Sequence, residues 1–375
     1  QCKHMNDIAT PDQIALWVTA SAFVLGFIFA LVASYTNFCT MGAVADWYNM
    51  GDSGRMRMWV MTMAVAILGA NGLHALGWID LGKTIYVSRQ LTWLAYVVGG
   101  GCFGFGMTLA SGCGVKTLMR MGSGNLKSAI VFMVMGITAY MTLRGLFASL
   151  RVHVIEQVVI QLPVTQDLPA VLAYLTDRAV MLSRFNIAMI VAAVFVSWAL
   201  MHRDFRREPM YAVGACVLGS LVAAAWYITG HLGYMAEHPD TLQEAFIATN
   251  SGRMEGLSFV APMAWTLEYL MLWTDKSRVI TFGIASAAGI VLGATVYALF
   301  SGKFRWEGFR DANDTAHHLI GAALMGFGGV TALGCTVGQG LSGISTLALG
   351  SIVTTAAIII GSIAALRYQN WQWTR

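Results

Sequence analysis

The residues with the most chemical reach in this 375-residue chain are its six cysteines, and none of them stands in a CxxC or CxxCH pair. That spacing argues against zinc clamps, iron–sulfur ligation and c-type haem. Cys39, Cys113 and Cys335 lie in short apolar segments rich in glycine, whereas Cys2, Cys102 and Cys216 read as bystanders. A cysteine in such a setting is either a small buried hydrophobe, the commoner role, or a weak S–H donor with a polarizable sulfur. In the second role a neutral thiol suits a soft anion, while a thiolate would repel it. Such an anion also needs donors once water is excluded. Backbone N–H groups at the starts of short helices after Gly112-Cys113 and Gly334-Cys335 would provide them, aided by the helix dipole. Glycines 112, 114, 334, 338 and 340 are expected to let the backbone turn and approach a ligand closely. Gln339, just past Cys335, offers an amide that would reach an oxyanion or tie helices together.

The rest of the chain must hold these segments in lipid. Its residues are 57% apolar and only 11% charged, against roughly a quarter charged in soluble proteins. Apolar runs of about 20 residues, the length that crosses a hydrocarbon core, recur from end to end. The fold class expected is an all-α polytopic membrane protein with nine spans, near 13–36, 57–78, 91–110, 125–148, 181–201, 211–230, 279–301, 316–333 and 346–367. Four further stretches, 37–50, 111–124, 257–273 and 334–343, are apolar but too short to cross. They read as re-entrant loops or half helices. Irregular backbone at membrane depth survives only when buried in protein or lining a cavity, because lipid offers no hydrogen bonds. The net charge of +4 is scattered over loops, which excludes a nucleic-acid partner. The first twelve residues lack the pattern of a secretory signal, so the first helix is expected to be retained.

An internal match supports a repeated architecture. Gly104, Phe105, Gly106, Ala110, Gly112, Cys113 and Val115 recur 222 residues later as Gly326, Phe327, Gly328, Ala332, Gly334, Cys335 and Val337. With five crossings between their starts, the halves would face opposite ways and meet near the midplane, as in inverted-repeat transporters. The plainer explanation is that these glycines serve close helix packing in both places. The division expected is a first membrane repeat over 1–150, a connector with one span over 151–207, and a second, inverted repeat over 208–375. Basic loops at Arg55 and Arg57, 202–207 and 303–310 put those faces in the cytoplasm and the N-terminus outside, a bias of only 13 Lys/Arg inside against 10 outside. On that path Cys39 and Cys113 dip in from the cytoplasm and Cys335 from the other side.

The segments Asn37-Phe38-Cys39-Thr40-Met41-Gly42-Ala43 with Asp46, Gly112-Cys113, and Met325-Gly326-Phe327-Gly328 through Gly334-Cys335-Thr336-Val337-Gly338 resemble the YeeE/YedE family of sulfur-compound permeases. Arg253-Met254-x-Gly256-Leu257 with Pro262 is similar to that family's second-half segment facing the first cysteine motif. The resemblance covers nearly the whole chain. It implies nine spans in an hourglass with short inward loops, and uptake of thiosulfate passed along three cysteines by S–H hydrogen bonds. By residue, it implies Cys335 as the outer station, Cys113 as the central one and Cys39 as the inner one. It further implies a bacterial inner-membrane location and, for some members, a separate TusA-like sulfur carrier at the cytoplasmic mouth. Two positions depart from the family pattern. Lys116 stands where relatives carry glycine three residues after the central cysteine, and Asn37 where some have arginine. Lys116 would pair with the anion or snorkel to the cytoplasmic face. The changes leave sulfite, a selenium oxyanion or a persulfide-like species as other substrates.

The function expected is a transporter or channel for thiosulfate or a related small sulfur anion, not an enzyme, with no cofactor and no metal. The alternative is a membrane subunit of a sulfur-relay or redox complex whose thiols form covalent persulfides. A third class, a cofactor-bearing electron carrier, lacks the His and Cys ligand sets. His317-His318 has no second pair at matching depth, and the 22 methionines read as adaptable packing. Asp46 is expected to cap its helix or pair with Arg55 or Arg57, and less readily to accept a proton. The stretches 151–178 and 230–256 are expected on the outer face, the latter shaping a vestibule above Cys335.

Overall fold

A computed structural model describes residues 10–176, 184–239, 241–275 and 277–373 of the chain; Cys2 lies outside them. The helices run α1 (Pro11–Tyr35), α2 (Thr40–Met50), α3 (Gly54–Ala75), α4 (Trp93–Leu109), α5 (Gly114–Gly122), α6 (Leu126–Arg144), α7 (Leu146–Leu150), α8 (Leu168–Thr176), α9 (Arg184–Leu200), α10 (Arg203–Arg207), α11 (Pro209–Tyr227), α12 (Ala261–Met271), α13 (Phe282–Phe300), α14 (Ala312–Thr331) and α15 (Leu349–Trp373). Among the described residues strand is confined to two tiny antiparallel pairs, β1 (Gln90–Leu91) with β2 (Ile160–Gln161), and β3 (Tyr234–Met235) with β4 (Ala245–Phe246). The chain is therefore an all-α membrane fold.

Each of the nine runs read from the sequence falls on a helix, but among the described residues only seven helical stretches are both long and apolar enough to cross a membrane. The two that fall short have local reasons. α9 has 17 described residues, and α14 opens with Asn313, Asp314, Thr315, His317 and His318, which lower its apolarity. All four short segments also contain short helices. α2 follows Cys39, α5 follows Cys113, α12 occupies 261–271, and a π-helical turn, Gly338–Gly343, follows Cys335.

Packing runs in matched pairs. α1 lies along α13 as α11 lies along α3, and α4 lies along α15 as α14 lies along α6. α4 and α14 also cross each other, and there the contact is backbone against backbone. A Cβ placed on Gly106 would stand 2.6 Å from the carbonyl oxygen of Gly321, and one on Gly321 would stand 2.6 Å from that of Gly106. Gly104 abuts the Ile358 carbonyl and Gly326 that of Met135. The glycines of the repeated Gly-Phe-Gly motif thus serve close helix approach, which is the plainer explanation weighed above. That finding leaves the cysteines at the end of the same motif unexplained by packing.

Overpacking such a crossing costs about 1–3 kcal/mol. Gly106→Ala should lower the melting temperature of the purified protein. Gly101→Ala, on the same helix, should not, because a Cβ there meets nothing within 4 Å and alanine favours helix over glycine by roughly 0.5–1 kcal/mol. Equal melting of the two variants would contradict the crossing.

Candidate functional site

One local device positions all three cysteines. α1, α4 and α14 each end in a residue with left-handed backbone, Asn37 (φ 52°), Ser111 (φ 57°) and Leu333 (φ 59°). The next residue's N–H turns back to a carbonyl five residues earlier, Phe38 to Ala33 at 2.9 Å, Gly112 to Met107 at 2.8 Å and Gly334 to Gly329 at 2.8 Å. These are Schellman-type helix ends, which satisfy the last carbonyls of a helix that stops inside the protein. The cysteine follows immediately and opens the next helical segment. Cys39 and Cys113 are the N-cap residues of α2 and α5. The Cys39 sulfur accepts the Gly42 N–H at 3.4 Å, and the Cys335 sulfur accepts the Gly338 N–H at 3.4 Å.

This arrangement corrects the expected role of the glycines. The left-handed positions are Ser111 and Leu333, while Gly112, Gly114, Gly334, Gly338 and Gly340 are absent from the positive-φ residues. What these glycines provide is room. A Cβ on Gly338 would stand 2.8 Å from Ser258 Oγ, one on Gly340 2.7 Å from the Trp59 ring, one on Gly114 3.1 Å from the Phe259 carbonyl, and those on Gly112 and Gly334 about as close to Lys116 and Gln339. The N–H groups of Gly42 and Gly338 are likewise taken by the thiols themselves.

The three cysteines are buried, and two of them meet. The Cys39 and Cys113 side chains interact with each other, and Cys113 also faces the hydroxyl of Thr336, the residue next to Cys335. Among the described residues the Cys113 thiol is the one group Thr336 Oγ1 faces, and Tyr86 OH and Trp59 Nε1 have no hydrogen-bond partner, all three atoms being buried. Tyr86 faces the Cys335 turn, its hydroxyl 3.4 Å from where a Gly338 Cβ would be. Beyond that turn a cavity of about 200 Å³ is lined by Gly334, Tyr86, Ser258, Arg151 and Glu255 among others. Glu255 Oε1 accepts the N–H groups of Asn250 (2.9 Å) and Ser251 (2.7 Å), which folds part of the 230–256 stretch over this cavity.

Near Cys39 and Cys113 stands Lys116, part-buried on α5 and within electrostatic reach of both thiols and of the cations Arg120 and Arg55. Among the described residues no carboxylate pairs with its ammonium group. Asp46 is committed elsewhere, bonding the Arg55 guanidinium that fills the space left by Gly42. Gln339 donates its amide to the Ala332 carbonyl and holds the Cys335 turn, presenting only the unpartnered Oε1. Cys102 is half-buried on α4 and Cys216 exposed on α11. His318 bonds Asp314.

Sequence reading missed Tyr86, Thr336, Trp59 and Glu255. Only Thr336 carried a signal, its place beside Cys335; the others are single polar residues in apolar or turn-rich surroundings.

Fold and site together define a multi-pass helical membrane protein whose broken helices carry three buried thiols. The chain belongs to the sulphur transport family, YeeE/YedE, whose sequence profile matches residues 35–364. It is similar to the thiosulfate transporter TsuA of Spirochaeta thermophila, 27% identical over 345 residues that cover 91% of this chain and 96% of that one. It is also similar to the thiosulfate transporter TsuA of Escherichia coli, 27% identical over 335 residues that cover 86% of each.

Left-handed backbone costs a β-branched residue on the order of 1–3 kcal/mol and glycine nothing. Leu333→Gly should therefore keep or raise the melting temperature, and Leu333→Val should lower it. The opposite order would refute the assigned turn.

Proposed function

We propose that this chain carries thiosulfate, or a close sulfur anion, across a bacterial inner membrane along Cys335, Cys113 and Cys39. The observation that carries the reading is Lys116. It is part-buried beside two thiols, and among the described residues no carboxylate forms an ion pair with it, so an arriving anion would supply a partner. Retaining such a group unpaired is costly, and a mobile dianion would offset that cost. The cavity at Gly334 provides an approach to Cys335, and Thr336 spans the step from the Cys335 turn to Cys113. Gly112 and Gly334 serve by keeping the turns compact, and Gln339 by fixing one of them. Neutral thiols grip weakly, which conduction requires because each station must release its ion. Both curated relatives are bacterial proteins named as thiosulfate transporters, which supports the substrate and the location.

The matched packing of α4, α5 and α6 with α14, the π-turn and α15 supports reading 1–150 and 208–375 as inverted repeats, with the cytoplasm on the side of Arg55, Arg57 and 303–310. Delivery at that side to a separate TusA-like carrier and the lack of catalytic turnover complete the proposal. The adjacency of Cys39 and Cys113 also favours a second reading, a covalent relay. There a thiolate attacks the outer sulfur of thiosulfate, the S–S bond breaks, sulfite leaves, and a cysteine persulfide remains.

The test is labelled thiosulfate uptake into proteoliposomes. Cys113→Ala and Cys335→Ala should abolish uptake, Cys39→Ala should impair it, and Cys102→Ala should leave it largely intact. Lys116→Met should reduce uptake at least about tenfold, a loss of some 1.4 kcal/mol, with Lys116→Arg partly restoring it. Uptake unchanged in all three cysteine variants would end the assignment. Mass spectrometry after exposure separates the two readings, since a lasting extra sulfur on Cys113 or Cys335 would establish the covalent one.

A further inference from the structure

A second cavity, of about 500 Å³, opens between α5, α6, the 303–310 loop and the start of α14. Five cations line it, Arg120, Lys127, Lys303, Arg305 and Arg310, against two carboxylates, Glu307 and Asp314. Both carboxylates are engaged within the wall. Asp314 takes Lys127 Nζ at 2.7 Å, the Arg310 N–H at 3.1 Å and His318 Nδ1 at 3.0 Å. Glu307 takes the Asn125 amide at 2.6 Å. Among the described residues the guanidinium groups of Arg305 and Arg310 make no hydrogen bond or ion pair, and Lys303 stands only over the Tyr297 ring, 5.7 Å from its centroid. The N-terminal turns of α6 and α14, the positive ends of two helix dipoles, supply part of the wall.

Cations outnumber carboxylates in this cavity, its residues are all polar or charged and most of its wall is polar, so a lipid tail or another apolar ligand has little to bury against. Concave walls of one sign concentrate counter-ions, and paired guanidinium forks match the oxygens of a tetrahedral anion better than those of a monovalent halide. We propose that this cavity binds a free tetrahedral oxyanion of the sulfate or phosphate type, gripped by Arg305 and Arg310. The site adjoins the buried thiols through one residue. Arg120, on the helix that starts at Cys113, holds the Ser111 carbonyl at 2.7 Å while facing the cavity. An anion here therefore shares a cation with the turn that presents Cys113. The proposal stands on the cavity alone and does not depend on the transport reading.

Calorimetric titration of the full chain, in nanodiscs of uncharged lipid, with inorganic sulfate and phosphate tests it. One saturable dianion per chain is expected, weakening as salt rises, and the exposed pair R305Q/R310Q should bind at least about tenfold more weakly with an unchanged melting curve. Trp306, next to Arg305 and edge-on to Phe304, gives a second readout, a fluorescence change that W306F removes. Wild type and R305Q/R310Q titrating alike would overturn the proposal. So would loss of sulfate binding in anionic-lipid nanodiscs, which would assign the cavity to lipid headgroups.

Discussion

Everything at the centre of this protein depends on one constraint, that a helix ending away from water must find partners for its last carbonyls. α1, α4 and α14 meet it in the same way, with a left-handed residue and a six-residue turn closed by a backbone hydrogen bond of 2.8–2.9 Å. The turn fixes where the following residue stands, and in all three places that residue is a cysteine. Because the next helical segment starts there, each thiol also sits at the positive end of a helix. Position, burial and electrostatic setting of the three sulfurs thus follow from how a chain break is satisfied inside the bundle.

The second determinant is the imbalance of charge around those thiols. Asp46 is consumed by Arg55, Asp314 by Lys127, and Glu255 by backbone amides. Among the described residues Lys116 is left without a carboxylate, and the guanidinium groups of Arg305 and Arg310 without a hydrogen bond or ion pair. With these three acids engaged, positive charge stays open beside the thiols and in the basic cavity. Among the described residues the Tyr86 hydroxyl and the Trp59 indole are buried without a hydrogen-bond partner and extend the same logic from charge to hydrogen bonding, since such groups are costly unless something satisfies them part of the time.

Much of this was legible in the sequence, for identifiable reasons. Lipid imposes long apolar runs and forces any interruption to be short and glycine-rich, so both helices and breaks leave marks. The match between 104–115 and 326–337 was visible because helix crossing and turn geometry constrain the same residues twice. The mechanism of the turn was not visible. Ser111 and Leu333 are ordinary residues held in an unusual backbone region by the bonds around them, and their glycine neighbours drew attention to the wrong position. The basic cavity was hidden for another reason. Its cations come from α5, α6 and the 303–310 loop, segments that are distant in sequence, and only the fold brings Arg120 near Arg305 and Arg310.

The reciprocal contact of Gly106 and Gly321 has a mechanical meaning. Two helices that meet backbone to backbone, with only Cβ atoms such as those of Ala110 and Leu324 beside the contact, have little side chain to slide over, and both crossing helices end in cysteine turns. The Cys113 and Cys335 turns are therefore mounted on a single stiff cross-brace. A cycle in which one half of the molecule rocks against the other would have to pull that brace apart.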